Sequence, residues 1–319
     1  MPKVTVTGAN GFIGKQLVKQ LVEEGHEVTG VVRDRRKVDI VESLGARATI
    51  ADITQDKQIS DAIKDSDLVF HLAAKVRLHR YDSVKPTMVD GTRNVVNVCK
   101  QRGMALAYAS SIAVYGDANG AVVDESTLLK PDTGYGIAKY EAEKIVLDAV
   151  NENLNAVILR PGYVYGHGDH VSRMLEMRRV AWVGEGTNYS GFIHVEDCAR
   201  AFIACLMKSQ HGEIYNAVDN EPATWLDYLK HACKLLNIDG PKLYPANAIK
   251  AASYIYYGFS RVLGRMPDFT PEVVRAMQYS CRYSNKKLRE QVNFTFKYPT
   301  YREGLEQVVG IIKHAAKHG

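Results

Sequence analysis

The sequence predicts an α/β fold: a doubly wound parallel sheet with a smaller, mostly helical C-terminal lobe. Three observations carry this. Short β-branched runs alternate with helical patterns through the first half of the chain, and a glycine turn breaks the first strand directly into the first helix. The last third then becomes mostly helical in pattern. Strands alternating with helices at this rhythm imply right-handed crossovers and a parallel sheet.

The first strand is Val4 and Val6 with Thr5 and Thr7 between, a run suited to burial in a sheet. The chain turns through Gly8-Ala9-Asn10-Gly11 into a helix with Phe12, Ile13, Leu17, Val18 and Leu21 at helical spacing. Backbone N–H groups at such a helix start, with the positive end of the helix dipole, make a site for a pyrophosphate. Gly8 permits the tight turn, Gly11 lets backbone approach the phosphates, and Gly14 lets the helix pack on the strand. The spacing is G-x-x-G-x-x-G, and an ordinary glycine turn at a helix start is the competing reading.

Residues 27–32 (EVTGVV) read as the second strand, followed by Arg33, Asp34, Arg35, Arg36 and Lys37. An acidic residue at this strand end favours a free ribose 2′-hydroxyl, whereas an arginine accommodates a 2′-phosphate. Arg33 therefore points to NADP(H) over NAD(H), with NAD(H) still open and a solvated basic turn as the alternative. Residues 46–50 form a third strand leading to Asp52 and Ile53, and 59–64 a short helix. The fourth strand, 68–72, ends in Leu72-Ala73-Ala74, small enough for a ligand to lie against backbone. A long helix over 85–102 and a fifth strand over 105–109 follow.

That fifth strand ends in Ser110-Ser111, and Tyr135-Gly136-Ile137-Ala138-Lys139 opens a helix running to about Asn151. Tyr135 and Lys139 lie four apart and share a helix face. A tyrosine beside an ammonium can have a depressed pKa and exchange a proton nearer neutrality. A serine hydroxyl at a neighbouring strand end can hold the same reacting oxygen.

Taken together, these residues resemble the extended short-chain dehydrogenase/reductase family, whose nucleotide unit is a Rossmann-type sheet. Thr7–Gly14 looks like its cofactor turn, Asp52-Ile53 its adenine contact and His71-Leu72-Ala73-Ala74 its fourth-strand end. Ser111, Tyr135 and Lys139 stand where the family's catalytic residues stand. Leu159–Gly166 (LRPGYVYG) and Phe192–Asp197 (FIHVED) resemble two later blocks, placing Pro161, Gly162 and Val164 at the cofactor. Lys75, Ser111 and Tyr163 are the substrate contacts implied. The resemblance also implies a homodimer, and a nucleotide unit of residues 1–165, with 192–218 returning to it. Residues 166–191 and 219–319 then form the substrate-binding lobe.

Within that family the sequence leans toward a reductase or dehydrogenase acting on a secondary alcohol or ketone of an apolar small molecule. This is nearer the dihydroflavonol-reductase and 3β-hydroxysteroid-dehydrogenase-like branch. Sugar-nucleotide members usually carry an asparagine where Tyr163 stands, and a diphosphate-gripping arginine where Ser190 stands. Loss of such a charge-assisted contact costs about 1.5–3 kcal/mol. Asp124-Glu125-Ser126 and the Y-G-x-x-K form are nevertheless common among the sugar enzymes, so an NDP-sugar epimerase or dehydratase remains the alternative. Met88 replaces a frequent asparagine before Gly91-Thr92, which leaves the detail of that helix open.

The balance of the chain is ordinary: 319 residues, 46% hydrophobic, 24% charged and a net charge of +5, with no long Lys/Arg block of the kind that marks nucleic-acid binding. Five scattered cysteines without a C-x-x-C pair indicate neither disulfides nor zinc, and no metal site is expected. A cytoplasmic location is the expectation, with no apolar leader and no integral membrane segment. In the last third, 213–218 reads as a strand and 224–236 as an amphipathic helix. Residues 248–263 (AIKAASYIYYGFSRVL) are unusually aromatic and apolar for a surface helix. They loosely resemble the same region of the hydroxysteroid-dehydrogenase-like members. An apolar pocket wall, a peripheral membrane contact and plain core all remain open for them. Thr270-Pro271-Glu272 and Thr300 with Glu303 are helix-start signals. Lys313, His314, Lys317 and His318 read as a solvated helix end.

Overall fold

The computed structural model describes residues 2–75, 80–262 and 270–318. Leu263 and the side chains of Lys317 and His318 lie outside the described residues.

Seven strands form one parallel sheet: β1 (Lys3–Thr7), β2 (Glu27–Val32), β3 (Arg47–Ile50), β4 (Leu68–His71), β5 (Ala105–Ala109), β6 (Ala156–Pro161) and β7 (Ile214–Ala217). Their order is β3-β2-β1-β4-β5-β6-β7, so the winding reverses between β1 and β4. Register there pairs Val6 with Phe70 and Thr7 with His71. The reversal leaves a crevice at the carboxyl ends of β1 and β4, where ligands bind in sheets of this kind.

Period-two alternation sorts the strand residues onto two faces. One buries Val4, Val6, Phe70, Ala107 and Leu159 beneath α1 (Phe12–Glu23) and a later helix. The other buries Val69, Leu106, Tyr108 and Ile158 beneath α2 (Asp56–Ile63), α3 (Gly91–Arg102) and α4 (Gly134–Asn151). The later helix, α5 (Val195–Lys208), lies against α1, and Gln20 Nε2 donates to the Glu196 carbonyl at 3.0 Å.

The expected continuous helix over 85–102 is interrupted. Tyr81–Lys85 is helical, Pro86–Asp90 forms a π turn, and α3 begins only at Gly91. Pro86 supplies no N–H to the ladder, and the wider turn absorbs the gap. Met88 is buried there, and its carbonyl accepts a hydrogen bond from the Thr92 hydroxyl at 2.7 Å.

Later helices include α6 (Trp225–Leu236), α7 (Ala246–Val262), α8 (Pro271–Ala276) and α9 (Tyr301–His318). Tyr165, Trp182, Phe192, Trp225, Tyr228 and Tyr301 form an aromatic core between α6, α9 and the parallel pair 163–165 and 192–194. Phe192 stacks on Tyr228 at 4.5 Å and Trp182 on Trp225 at 4.2 Å. Leu288, Val292, Phe294 and Phe296 return to the sheet-side core. The buried Asp197 carboxylate fixes the chain just before α9, accepting from Lys297 N at 2.8 Å and Tyr298 N at 2.7 Å. Among the described residues no helix is long and apolar enough to cross a membrane, and no group of His, Cys, Asp or Glu could hold a metal ion.

Candidate active site

The glycine turn forms as the sequence predicts, and steric room explains each glycine. Gly8 has φ +70°, and a Cβ there would stand 2.9 Å from the Ala73 backbone. A Cβ on Gly14 would stand 2.2 Å from the Gly8 carbonyl oxygen. Gly11 is the N-cap of α1, with no side-chain cap and no acidic residue in the first turn. The helix start around Asn10, Gly11, Phe12 and Ile13 therefore offers backbone N–H groups and a positive dipole end. A dinucleotide pyrophosphate fits this cradle.

β4 supplies the opposite wall. Leu72 N donates to the Thr7 carbonyl at 3.2 Å and Ala73 N to the Thr7 hydroxyl at 3.2 Å, leaving Ala74 half-buried at the strand end. That hydroxyl lies 2.7 Å from His71 Nδ1, to which it donates when Nε2 carries the ring proton. Thr92 gives its proton to the Met88 carbonyl, so it accepts from His71 Nε2–H at 3.0 Å. The chain of bonds assigns one tautomer to His71. Burial, with Lys139 nearby, pushes His71 down to about 3, so the ring is neutral.

At the adenosine end, Asp52 Oδ1 accepts from Thr54 N at 2.9 Å and from the Thr54 hydroxyl at 2.8 Å. Ile53 is buried under Gly91, and its carbonyl accepts from Asn94 Nδ2 at 2.9 Å. Arg33 is exposed just past β2. The neighbouring Asp34 carboxylate is engaged by Arg36, Nη2 to Oδ2 at 2.6 Å and Nε to Oδ1 at 3.0 Å. That hydrogen bonding lowers Asp34 to about 2.

β5 and α4 bring the three chemical side chains together. Ser111 is extended at the end of β5, its hydroxyl accepting from Ala113 N at 3.2 Å and standing near enough to the Tyr135 phenol to favour its ionised form. Ser110 turns the other way, with a buried hydroxyl. Lys139 is buried one turn along α4 and donates from Nζ to the Ala109 carbonyl at 2.5 Å. Burial brings its pKa down to about 7, against an opposing pull from Glu143.

The tyrosine does not behave as its spacing suggests. Lys139 Nζ stands 6.0 Å from the Tyr135 ring centroid. Burial pushes Tyr135 up to about 12, and the nearby Ser111 hydroxyl, not the lysine, opposes that rise. Lys139 Nζ is directed instead to the Ala109 carbonyl.

Four features around α4 escape a reading of the sequence motifs. Glu143, one turn beyond Lys139, pairs with Arg160 on β6 through Nε–Oε1 at 2.9 Å and Nη2–Oε2 at 2.7 Å, with side chains 1% and 2% exposed. Arg160 Nη1 also donates to the Tyr115 hydroxyl at 2.8 Å, which donates to Asn216 Oδ1 at 2.8 Å. The Thr133 hydroxyl caps α4 by accepting from Gly136 N at 3.0 Å. From α8, Glu272 Oε1 accepts from Gly134 N at 2.6 Å, while the Tyr279 hydroxyl donates to Asp132 Oδ1 at 2.6 Å. A Thr before a Gly-Tyr helix start is a readable cap, but nothing in the sequence ties residue 272 to residue 134.

The later blocks sit beside the cofactor wall. Pro161 ends β6, Gly162 N donates to the Ala217 carbonyl at 3.0 Å, and a Cβ on Gly162 would stand 2.4 Å from the Gly191 oxygen. Val164 packs on the sheet-side core. Tyr163 instead faces the lobe, edge-on to Trp225 at 4.8 Å, with its hydroxyl donating to Asp169 Oδ2 at 2.8 Å. Lys75 Nζ donates to the Ser83 carbonyl at 3.2 Å.

Fold and site define a nucleotide-dependent enzyme of the extended short-chain dehydrogenase/reductase type. The chain belongs to the NAD dependent epimerase/dehydratase family, whose model matches residues 4–217. It is 25% identical to the 4-hydroxy-2-methyl-3-oxo-4-farnesyl-3,4-dihydroquinoline-1-oxide ketoreductase of Stigmatella aurantiaca, over 94% of each chain. It is 32% identical to the 2-alkyl-3-oxoalkanoate reductase of Stenotrophomonas maltophilia, over 62% of this chain and 63% of that one. Among solved structures, UDP-glucose 4-epimerase from Thermotoga maritima superposes with a TM-score of 0.82 at 20% identity, covering 98% of this chain and 99% of the other. The protein is an NAD(P)-dependent oxidoreductase-type enzyme.

Proposed function

We propose that this enzyme interconverts a secondary alcohol and a ketone on an apolar small molecule, using NADP(H). The observation that carries the reading is the Ser111–Tyr135 hydroxyl pair at the end of β5, with Lys139 one turn behind it. When bound, the dinucleotide supplies or accepts the hydride. Tyr135 exchanges the proton with the substrate oxygen, and Ser111 holds that oxygen and the phenol in line. Lys139, one turn behind them, reaches the nicotinamide ribose. Gly8, Asn10, Gly11, Phe12, Ile13 and Gly14 hold the pyrophosphate, Asp52 and Ile53 the adenine, and Leu72, Ala73, Ala74, Pro161, Gly162 and Val164 the walls.

Two features favour a 2′-phosphate. Arg33 is exposed at the end of β2, and Asp34 is engaged by Arg36 rather than offered to a ribose. Ser190 in place of a cation and the reductase relatives favour an apolar ketone over a sugar diphosphate. The Asp124-Glu125-Ser126 loop favours the second reading, an NDP-sugar epimerase or dehydratase working through the same three side chains.

The test follows nicotinamide absorbance with NADP⁺ and NAD⁺ against panels of apolar secondary alcohols and NDP-sugars. Net reduction with an apolar alcohol supports the proposal. A changed sugar with no net reduction establishes the epimerase reading.

A further inference from the structure

The 17-residue helix α7 is turned inside out. Its inward seam carries Ser253 and Ser260, both buried, with the Ser253 hydroxyl returned to the Lys250 carbonyl at 2.6 Å. Helical spacing places Ala248, Ala251, Ala252, Ile255 and Phe259 together on the opposite face, and all five are exposed. Ile255 is 76% exposed and Phe259 64%. Tyr254 and Tyr256 flank this stripe, and Leu243 and Tyr244 on the adjoining strand are exposed as well. A continuous apolar face of this kind marks a binding surface, whereas scattered exposed residues would not.

Charge selects the occupant. Residues 240–262 contain no Asp or Glu, but they include Lys242, Lys250 and Arg261. Lys242 and Lys250 are exposed, and Lys250 lies one turn before Tyr254, outside the tyrosine that flanks the stripe. Apolar side chains between tyrosines, edged by cations, match the layers of a lipid surface: acyl chains, interfacial belt and anionic headgroups. Its described residues number 17, fewer than the about 20 needed to span the hydrocarbon core. We infer that α7 seats on an anionic bilayer surface, its axis parallel to the membrane, with Ile255 and Phe259 inserted and Lys242 and Lys250 against headgroups.

The test is flotation of the full-length enzyme with vesicles of phosphatidylcholine alone and of equal parts phosphatidylcholine and phosphatidylglycerol. The expected result is binding to the mixed vesicles that weakens with salt. Ile255→Asp with Phe259→Asp should lower it by tenfold or more, as should Lys242→Glu with Lys250→Glu, which reverses the charge at both sites. Both pairs are exposed, so circular dichroism and melting should match the wild type. No flotation with either vesicle, or flotation unchanged in the Ile255/Phe259 variant, overturns the assignment. Light scattering supplies the competing outcome: if that variant lowers the oligomeric state, a second copy covers the stripe and the lipid assignment is wrong. Vesicle binding requires no turnover, so its failure leaves the proposed chemistry intact.

Discussion

The Glu272 carboxylate sits on the Gly134 N–H at 2.6 Å, so the C-terminal lobe caps the helix that carries Tyr135 and Lys139. A carboxylate at a helix N-terminus satisfies an orphan donor and complements the dipole. Arg275 and Tyr279 reinforce the joint, with Arg275 Nη2 donating to the Asp132 carbonyl at 2.9 Å. Glu272→Ala is expected to cost about 1–2 kcal/mol of stability. Glu272→Gln keeps an acceptor and should cost less. Urea denaturation of both variants checks the order; equal losses would mean the hydrogen bond matters less than the packing.

Tyr135→Phe should reduce turnover by at least ~10²-fold, the lower range for general acid–base catalysis. Dinucleotide affinity, measured by fluorescence titration, should stay near the wild-type value because the ring remains. Turnover close to wild type would remove Tyr135 from the proton step.

Lys139 gives a pH signature of definite sign. Its pKa is lowered to about 7 by burial, far below that of an unfolded lysine. Below pH 7 both states are protonated and the full penalty of burying the charge is present. Between about pH 7 and the unfolded value near 10.4, the unfolded chain binds more protons, so stability rises with pH. Relative to Lys139→Met, the wild type should therefore gain stability from pH 7 to pH 10, at no more than about 1.4 kcal/mol per unit. Denaturation midpoints of the two proteins across that range test it; parallel curves would refute a depressed lysine.

Arg33→Ser should weaken NADP⁺ by roughly 10- to 100-fold, the equivalent of one charge-assisted contact of about 1.5–3 kcal/mol. NAD⁺ affinity should barely change. Equal effects on both dinucleotides would place Arg33 away from the 2′-position.

The sheet and its cradle were legible because they rest on local chemistry. Gly8, Gly11 and Gly14 announce a turn that tolerates no Cβ, and β-branched runs announce buried strands. Tyr135 and Lys139 were legible through helical spacing only because the pair follows a glycine turn, five strands and the Ser110-Ser111 strand end. What spacing could not carry was the partner of each charge. Lys139 spends its proton on Ala109, thirty residues earlier, and leaves Tyr135 high. Glu143 finds Arg160 across a strand, and Glu272 finds Gly134 across the lobe joint. Tyr163 turned lobeward because alternation along its strand places it with Tyr165, on the face packed against Trp225 and Tyr228. The π turn at Pro86 was hidden because a proline inside a helical pattern announces a break without saying how it is absorbed.

The reach of the Glu272–Gly134 bond also sets a schedule for synthesis, since the two residues are 138 positions apart. At ribosomal rates of about 5–20 residues per second, the cap is made roughly 7 to 28 seconds after Gly134 itself. By then every residue assigned to the dinucleotide, through Val164, has already been made. The helix bearing Tyr135 waits with its first amide open to water. The contact that joins the lobe to the catalytic helix is thus made only after every residue of that helix.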